Sequence, residues 1–176
     1  AAMATKTPDN DMALDSVRDQ NYTSTLADAP VTAKESLHFY KLKGPLLDQG
    51  RVNIPVSKSE HMAVVLKVYA AGGEGELHAH NYEDHSFVVL QGAARFCDRE
   101  GETQEIGRNE AVMIPAGTHY SFEITSEDNL VLLRFSCPID SNVPWGRSAT
   151  DGSKFLSAGE GPEKLPAIIR DGEFFE

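Results

Sequence analysis

Between Leu37 and Pro138 the chain runs through short apolar stretches, LHFYKLKG, MAVVLKVYAAGG, HSFVVLQGAARFCD, EAVMIPAG, YSFEIT and LVLLRFSCP, set apart by Gly, Pro and Asn. Stretches of that length, closed by turn residues and without a helical period, predict the strands of an antiparallel sandwich or barrel. No repeat of the length used by propellers or solenoids is present. Residues 1–36 are polar and poor in aromatics, which predicts a flexible N-terminal arm, and the opening Ala-Ala-Met reads as two extra residues before a start at Met3. Residues 139–176 return to loop-like texture, carry Trp145 and end in AIIRDGEFFE, which suits a last strand. The expected organisation is therefore an arm (1–36), a barrel (37–138) and a C-terminal extension (139–176) that packs on the barrel or on a partner subunit.

Within this pattern the histidines are concentrated. Three of the six, His78, His80 and His85, fall inside GELHAHNYEDHSFVVLQG. On an extended segment His78 and His80 point to one face, and a turn through Asn81–Asp84 would start a new strand at His85, whose face is shared by Phe87, Val89 and Gln91. Three imidazoles in an apolar interior are costly to desolvate, and a divalent metal would satisfy all of them together. His38 and His61 have no spaced partner and read as ordinary structural or surface residues.

Other positions take the plainer reading. Glu83 and Asp84 are expected in a solvated turn. Arg95 and Arg134 sit in apolar strands and are expected to face outward or toward a subunit interface, the alternative being a fork for an anionic substrate. Val89, Met113, Phe122 and Leu132 are expected in the wall and core, which would suit an apolar substrate. Gln91 fits either the cavity rim or solvent. Cys97 and Cys137 lack metal or redox spacing and read as inert strand thiols.

Charge narrows the partners. The chain holds 16 Lys and Arg against 27 Asp and Glu, a net charge of -11 with pI near 4.9. That balance argues against nucleic acid and anionic membranes, and no run approaches the roughly 20 apolar residues a membrane span needs. Small molecules and a second copy of the chain are the expected partners, and the cytoplasm the expected compartment.

With these motifs in view the chain resembles the cupin superfamily of jelly-roll barrels. The first cupin motif is matched by Gly72, five residues, His78-Ala79-His80, four residues, His85, six residues and Gly92; His85 stands where a glutamate is usual. The second is matched by NEAVMIPAGTHYSF, with Asn109 at a glycine position, a mild change because Asn tolerates a left-handed turn. In this motif the histidine arrives one residue early: strict counting puts Tyr120 at the ligand position, and His119 reaches it only if the turn is shorter or the strand bulged.

The resemblance implies an all-β, cupin-type jelly-roll barrel with one divalent metal per chain, Fe(II) favoured, with Cu, Mn, Ni or Zn also suited. The ligands would be His78, His80, His85 and a fourth, His119 being preferred because imidazole is the commoner partner. Tyr120 remains the alternative ligand or an inward catalytic phenol. The leading expectation is a non-haem dioxygenase cleaving a small enol, diketone or phenolic substrate, anionic or aromatic in character. The alternatives are a non-redox cyclase, isomerase or lyase, and a small-acid-binding cupin without catalysis. A homodimer is expected, since two arms are available for exchange.

Overall fold

The computed structural model describes residues 35–139 and 165–176, with two further short strands at 147–148 and 155–156. The N-terminal arm, apart from its last two residues, and Trp145 lie outside the described residues. The chain forms β1 (Gly44–Gln49), β2 (Arg51–Lys58), β3 (Ala63–Tyr69), β4 (Glu83–Gln91), β5 (Ala93–Asp98), β6 (Thr103–Gly107), β7 (Ala111–Ile114), β8 (Tyr120–Ile124), β9 (Leu130–Pro138), β10 (Arg147–Ser148), β11 (Phe155–Leu156) and β12 (Ile168–Phe175). No helix occurs among the described residues, so none there is long and apolar enough to cross a membrane. The architecture is an all-β jelly roll. Its main sheet has the order β2-β3-β9-β4-β7, the facing sheet β6-β5-β8, and β1 pairs with β12 to make a two-stranded cover.

This layering explains why β3 and β9 read as almost continuous apolar runs. One face of the main sheet, through Val64, Leu66, Val68, Val131 and Leu133, packs under β1 and β12. The other face, through Tyr69, Phe87, Val89, Leu130 and Leu132, meets Ala94, Phe96 and Phe122 of the small sheet and forms the barrel interior. Strands buried on both sides lose the polar alternation of a half-exposed strand. Gly44 is where the cover comes closest. A Cβ there would lie 3.0 Å from Ile54 and 3.1 Å from Val68, so any side chain would oblige these neighbours to give by a few tenths of an ångström.

Met113, expected in the core, is 67% exposed. It lies on the edge strand β7, where the inward position of the alternation falls to Ile114. Asn109 takes φ 69°, the left-handed conformation expected at its glycine-like position.

Asn129 ties the cover to the barrel. Its carboxamide accepts from the Leu47 N–H at 2.6 Å and donates to the Leu47 carbonyl at 2.9 Å, acting as a neighbouring strand would. Both partners are buried, so truncation leaves a donor and an acceptor without water. Asn129→Ala is therefore expected to lower unfolding free energy by about 2 to 4 kcal/mol, read as an earlier urea midpoint. A loss below about 0.5 kcal/mol would show that the clamp carries little of the fold.

Candidate metal and substrate site

The site is built where β4, β9 and the segment before β4 converge with the start of β8. His78 faces Tyr120 in an isolated antiparallel bridge: the His78 N–H donates to the Tyr120 carbonyl at 3.1 Å, and the Tyr120 N–H to the His78 carbonyl at 2.9 Å. Residues paired this way project their side chains to the same side. The rings meet accordingly, with centroids 4.7 Å apart for His78 and Tyr120, 5.3 Å for His85 and Tyr120, 5.1 Å for His78 and His80, and 4.8 Å for His80 and His85. His85 is 2% exposed and Tyr120 6%.

The Pro115–Thr118 turn decides which residue of the second motif joins them. The Thr118 N–H donates to the Pro115 carbonyl across Gly117, whose φ of 80° suits the third position of a type II turn. The Gly117 N–H then reaches the His80 carbonyl, so three steps along the chain from Gly117 to Tyr120 oppose two from His80 to His78. The extra residue lies before Tyr120 and leaves Tyr120 pointing inward. It is the Tyr120 ring that lies against the other imidazoles; no ring contact joins His119 to them, and its Nε2 is buried without a hydrogen-bond partner.

Two further expectations are overturned. Glu83 is not in a solvated turn: it is the first residue of β4 and 3% exposed. Arg134 does not face outward; it is 7% exposed on the interior face of β9 and bonds the Glu83 carboxylate. The same Glu83 oxygen lies 2.6 Å from His80 Nδ1. Parity carried both signals, because Glu83 shares the face of His85 and Phe87, and Arg134 that of Leu130 and Leu132. Arg95 does face outward, paired with Glu123 at 2.7 Å. Asp84 is exposed and accepts from the Ala116 N–H. Gln91, half-buried, donates to the Asn129 carbonyl. His38 bonds Ser57 at 2.9 Å, and His61 is on the surface. Both cysteines are free, Cys97 half-buried and Cys137 exposed.

Hydrogen bonding selects tautomers. The His78 Nδ1 lies 2.7 Å from the Glu76 carbonyl, which can only accept, and the His80 Nδ1 faces a carboxylate oxygen. Each ring therefore carries its proton on Nδ1 and, when neutral, its lone pair on Nε2, the arrangement of a metal-binding histidine oriented by an outer acceptor. Neither ring nitrogen of His85 has a hydrogen-bond partner. A metal about 2.1 Å from each nitrogen puts imidazole centroids about 4.5 to 5.3 Å apart for angles between about 90° and 110°, and the spacings of these rings fall in that range. The donor atoms do not converge as they stand, and no three His, Cys, Asp or Glu among the described residues form a metal-holding group. Ring spacing and tautomers fit the ion, and turning the His85 ring toward it breaks no hydrogen bond.

Comparison with known proteins places the segment. Residues 65–135 match the family model described as the cupin domain. They form a cupin domain. No protein curated for function matches the chain. Among solved structures, the cupin domain of Schizosaccharomyces pombe Cnp3 is 20% identical over 52% of this chain and 67% of its own, with a TM-score of 0.48. TT1209 from Thermus thermophilus is 26% identical over 51% of this chain and 84% of its own, TM-score 0.46. KdgF from Halomonas sp. is 26% identical over 53% and 84%, TM-score 0.46.

Electrostatics give this barrel a defined acid response. Burial, helped by the charge of Arg134, pushes His85 far below the ordinary histidine value of 6.5. Burial also lowers His80, outweighing the opposing hydrogen bond from Glu83. Burial alone would raise Glu83, but Arg134 and His80 outweigh it and hold the carboxyl below 4.5. For both histidines the folded state refuses a proton that the unfolded chain accepts, so their stabilising contribution is complete above pH 6.5 and falls away below it. The carboxylate acts only at lower pH. In chelator-treated protein the urea midpoint is expected to fall between pH 7 and 5, and His85→Asn to remove up to about 1.4 kcal/mol per pH unit of the slope. An identical slope in the variant would contradict the burial of a neutral His85.

Proposed function

We propose that His78, His80 and His85 hold one divalent metal, Fe(II) by preference, with Tyr120 beside it, and that this cupin is a metal-dependent dioxygenase acting on a small enol, diketone or phenol. The observation that carries the metal is the hydrogen bonding of the imidazoles. Acceptors on Nδ1 of His78 and His80 direct their Nε2 lone pairs to ligand duty, and both nitrogens of His85 are buried without a partner. Three neutral nitrogen ligands leave coordination positions open to a substrate and a co-reactant, and an iron centre so ligated would supply one-electron chemistry that side chains lack.

The chain's own groups have narrower tasks. Glu83, through Arg134 on one side and His80 on the other, fixes the His80 ring. It is the one buried carboxylate among the described residues and is committed to those partners, so it is poorly placed as a general base. That favours chemistry drawn from the metal over proton abstraction by an acid side chain. Phe87, Phe96 and Phe122 pack together beside the imidazoles and form an apolar wall that would exclude water from a bound substrate. Tyr120 gives a second reading its support: its phenol ring lies among the imidazoles and could pass a proton to or from a substrate carbonyl in a metal-assisted isomerisation or elimination.

Metal analysis of protein purified without added metal tests the first claim. About one redox-active ion per chain is expected, and His85→Ala should lose most of it; full occupancy in the variant would remove His85 from the ligand set. Tyr120→Phe should retain the metal and separate the two reactions. Dioxygen uptake on a panel of diketones and phenols is expected to survive in Tyr120→Phe if the protein is a dioxygenase, whereas an isomerase should lose about 100-fold or more. Iron-loaded wild-type protein that consumes no dioxygen on this panel would overturn the oxidative reading.

A further inference from the structure

Four buried polar atoms on neighbouring residues of the barrel interior have no hydrogen-bond partner: Oε2 of Glu83, both ring nitrogens of His85 and Oγ of Ser136. Such atoms are costly, and native interiors hold few of them. Here they share one face. Glu83 and His85 are two residues apart on β4, and Ser136 stands directly opposite His85 on β9. The side chains of such a pair project to the same side with Cβ atoms about 5 Å apart, and a long side chain at the diagonal position is also within reach. Glu83, opposite Pro138, is diagonal to Ser136.

The surroundings of Ser136 narrow what its hydroxyl can meet. The residue is fully buried, and its other cross-strand neighbour, Ala63 of β3, has no polar side-chain atom. Glu83 Oε1 is already taken by His80 and Arg134, which leaves Oε2 as the acceptor on that side. A hydroxyl both accepts and donates, so it can join an imidazole N–H to a carboxylate oxygen. The two nitrogens of His85 differ in reach: Nδ1 sits at the root of the ring, near the backbone of β4, and Nε2 at its tip. A serine oxygen, one bond from its Cβ, reaches across a strand pair to the nearer of them. His78 and His80 already commit Nδ1 to acceptors and keep Nε2 for a metal, and His85 with Nδ1 on Ser136 completes the same pattern. These bonds are not made in the present side-chain orientations, and turning His85 and Ser136 to make them breaks no existing hydrogen bond.

We propose that Ser136 is the positioning residue of His85: its hydroxyl accepts the His85 Nδ1–H and donates to Glu83 Oε2, leaving the Nε2 lone pair for the metal. This deepens the function proposed above and rests on it for the role of His85 as a ligand. The Glu83 carboxylate then orients two imidazoles, His80 directly through one oxygen and His85 through Ser136 from the other.

Zn(II) added to the chelator-treated full chain is the probe. Ser136→Ala is expected to bind it about 10- to 100-fold more weakly than wild type, and Ser136→Thr, which restores the hydroxyl, to recover most of that loss. The urea midpoint of metal-free Ser136→Ala is expected to equal or exceed that of wild type, because the hydroxyl removed has no partner there. A purely structural serine would do the reverse, lowering the midpoint and leaving the affinity alone. Nitrogen NMR of the Zn(II)-loaded wild type needs no variant: the His85 ring is expected to carry its proton on Nδ1, and a proton on Nε2 would overturn the proposal even if no variant folds. So would an undiminished affinity in Ser136→Ala, or a folded Ser136→Thr that recovers nothing; in each case Zn(II) held by the wild type leaves the metal assignment standing. A wild-type chain that takes up no Zn(II) would sink both.

Discussion

Arg134 and Glu83 meet inside the barrel, where water cannot screen them, and each charge is tolerable there because the other is present. Removing either would strand a full charge in an apolar interior, at a cost well above that of a surface ion pair. The pair also fixes relationships beyond itself. Arg134 comes from β9 and Glu83 from β4, so the contact holds only in the register that sets Phe87 beside Arg134 and His85 beside Ser136. The carboxylate oxygen that receives the guanidinium also receives the His80 ring. The orientation of the His80 ring is therefore tied to a buried salt bridge.

Along the shared interior face of β4 and β9 the polarity rises in one direction. Val89 and Leu132 form an apolar floor, Phe87 and Arg134 a mixed layer above it, and His85 with Ser136, then Glu83, a polar top. The cover of β1 and β12 closes the opposite face of the same sheet, which keeps the functional groups to the inner side. The buried polar groups are gathered at one end of this face, and the other end is core.

Much of this was readable in the chain before any coordinates. The alternation of His85, Phe87 and Val89 predicted an inward face, and β4 has that face. The jelly-roll architecture followed from strand texture and the two histidine motifs together. At Glu83 and Arg134 composition and parity disagree: an acid next to a turn and an arginine in a strand both suggest solvent, yet each shares its face with core residues. The turn at Pro115–Gly117 was harder, since whether a strand gains a residue depends on which backbone groups pair, and Gly117 pairs with His80 through contacts distant in sequence. Met113 erred for a related reason, the edge position of β7 being set by the order of the sheet.

The bridge between His78 and Tyr120 makes the identity of the inward group a matter of counting. In a strand, neighbours face opposite ways, so the backbone between Gly117 and Tyr120 works as an odd–even switch. With the three steps from Gly117 kept, one residue added to that turn would bring the imidazole of His119 to the place of the phenol, and the rest of β8 would change face with it. A phenol could thus be exchanged for an imidazole through a three-base insertion, a change that an inventory of residue types would record as a gap. The identity of the group facing the imidazoles is in that respect written in the length of a loop as much as in the residues that the loop delivers.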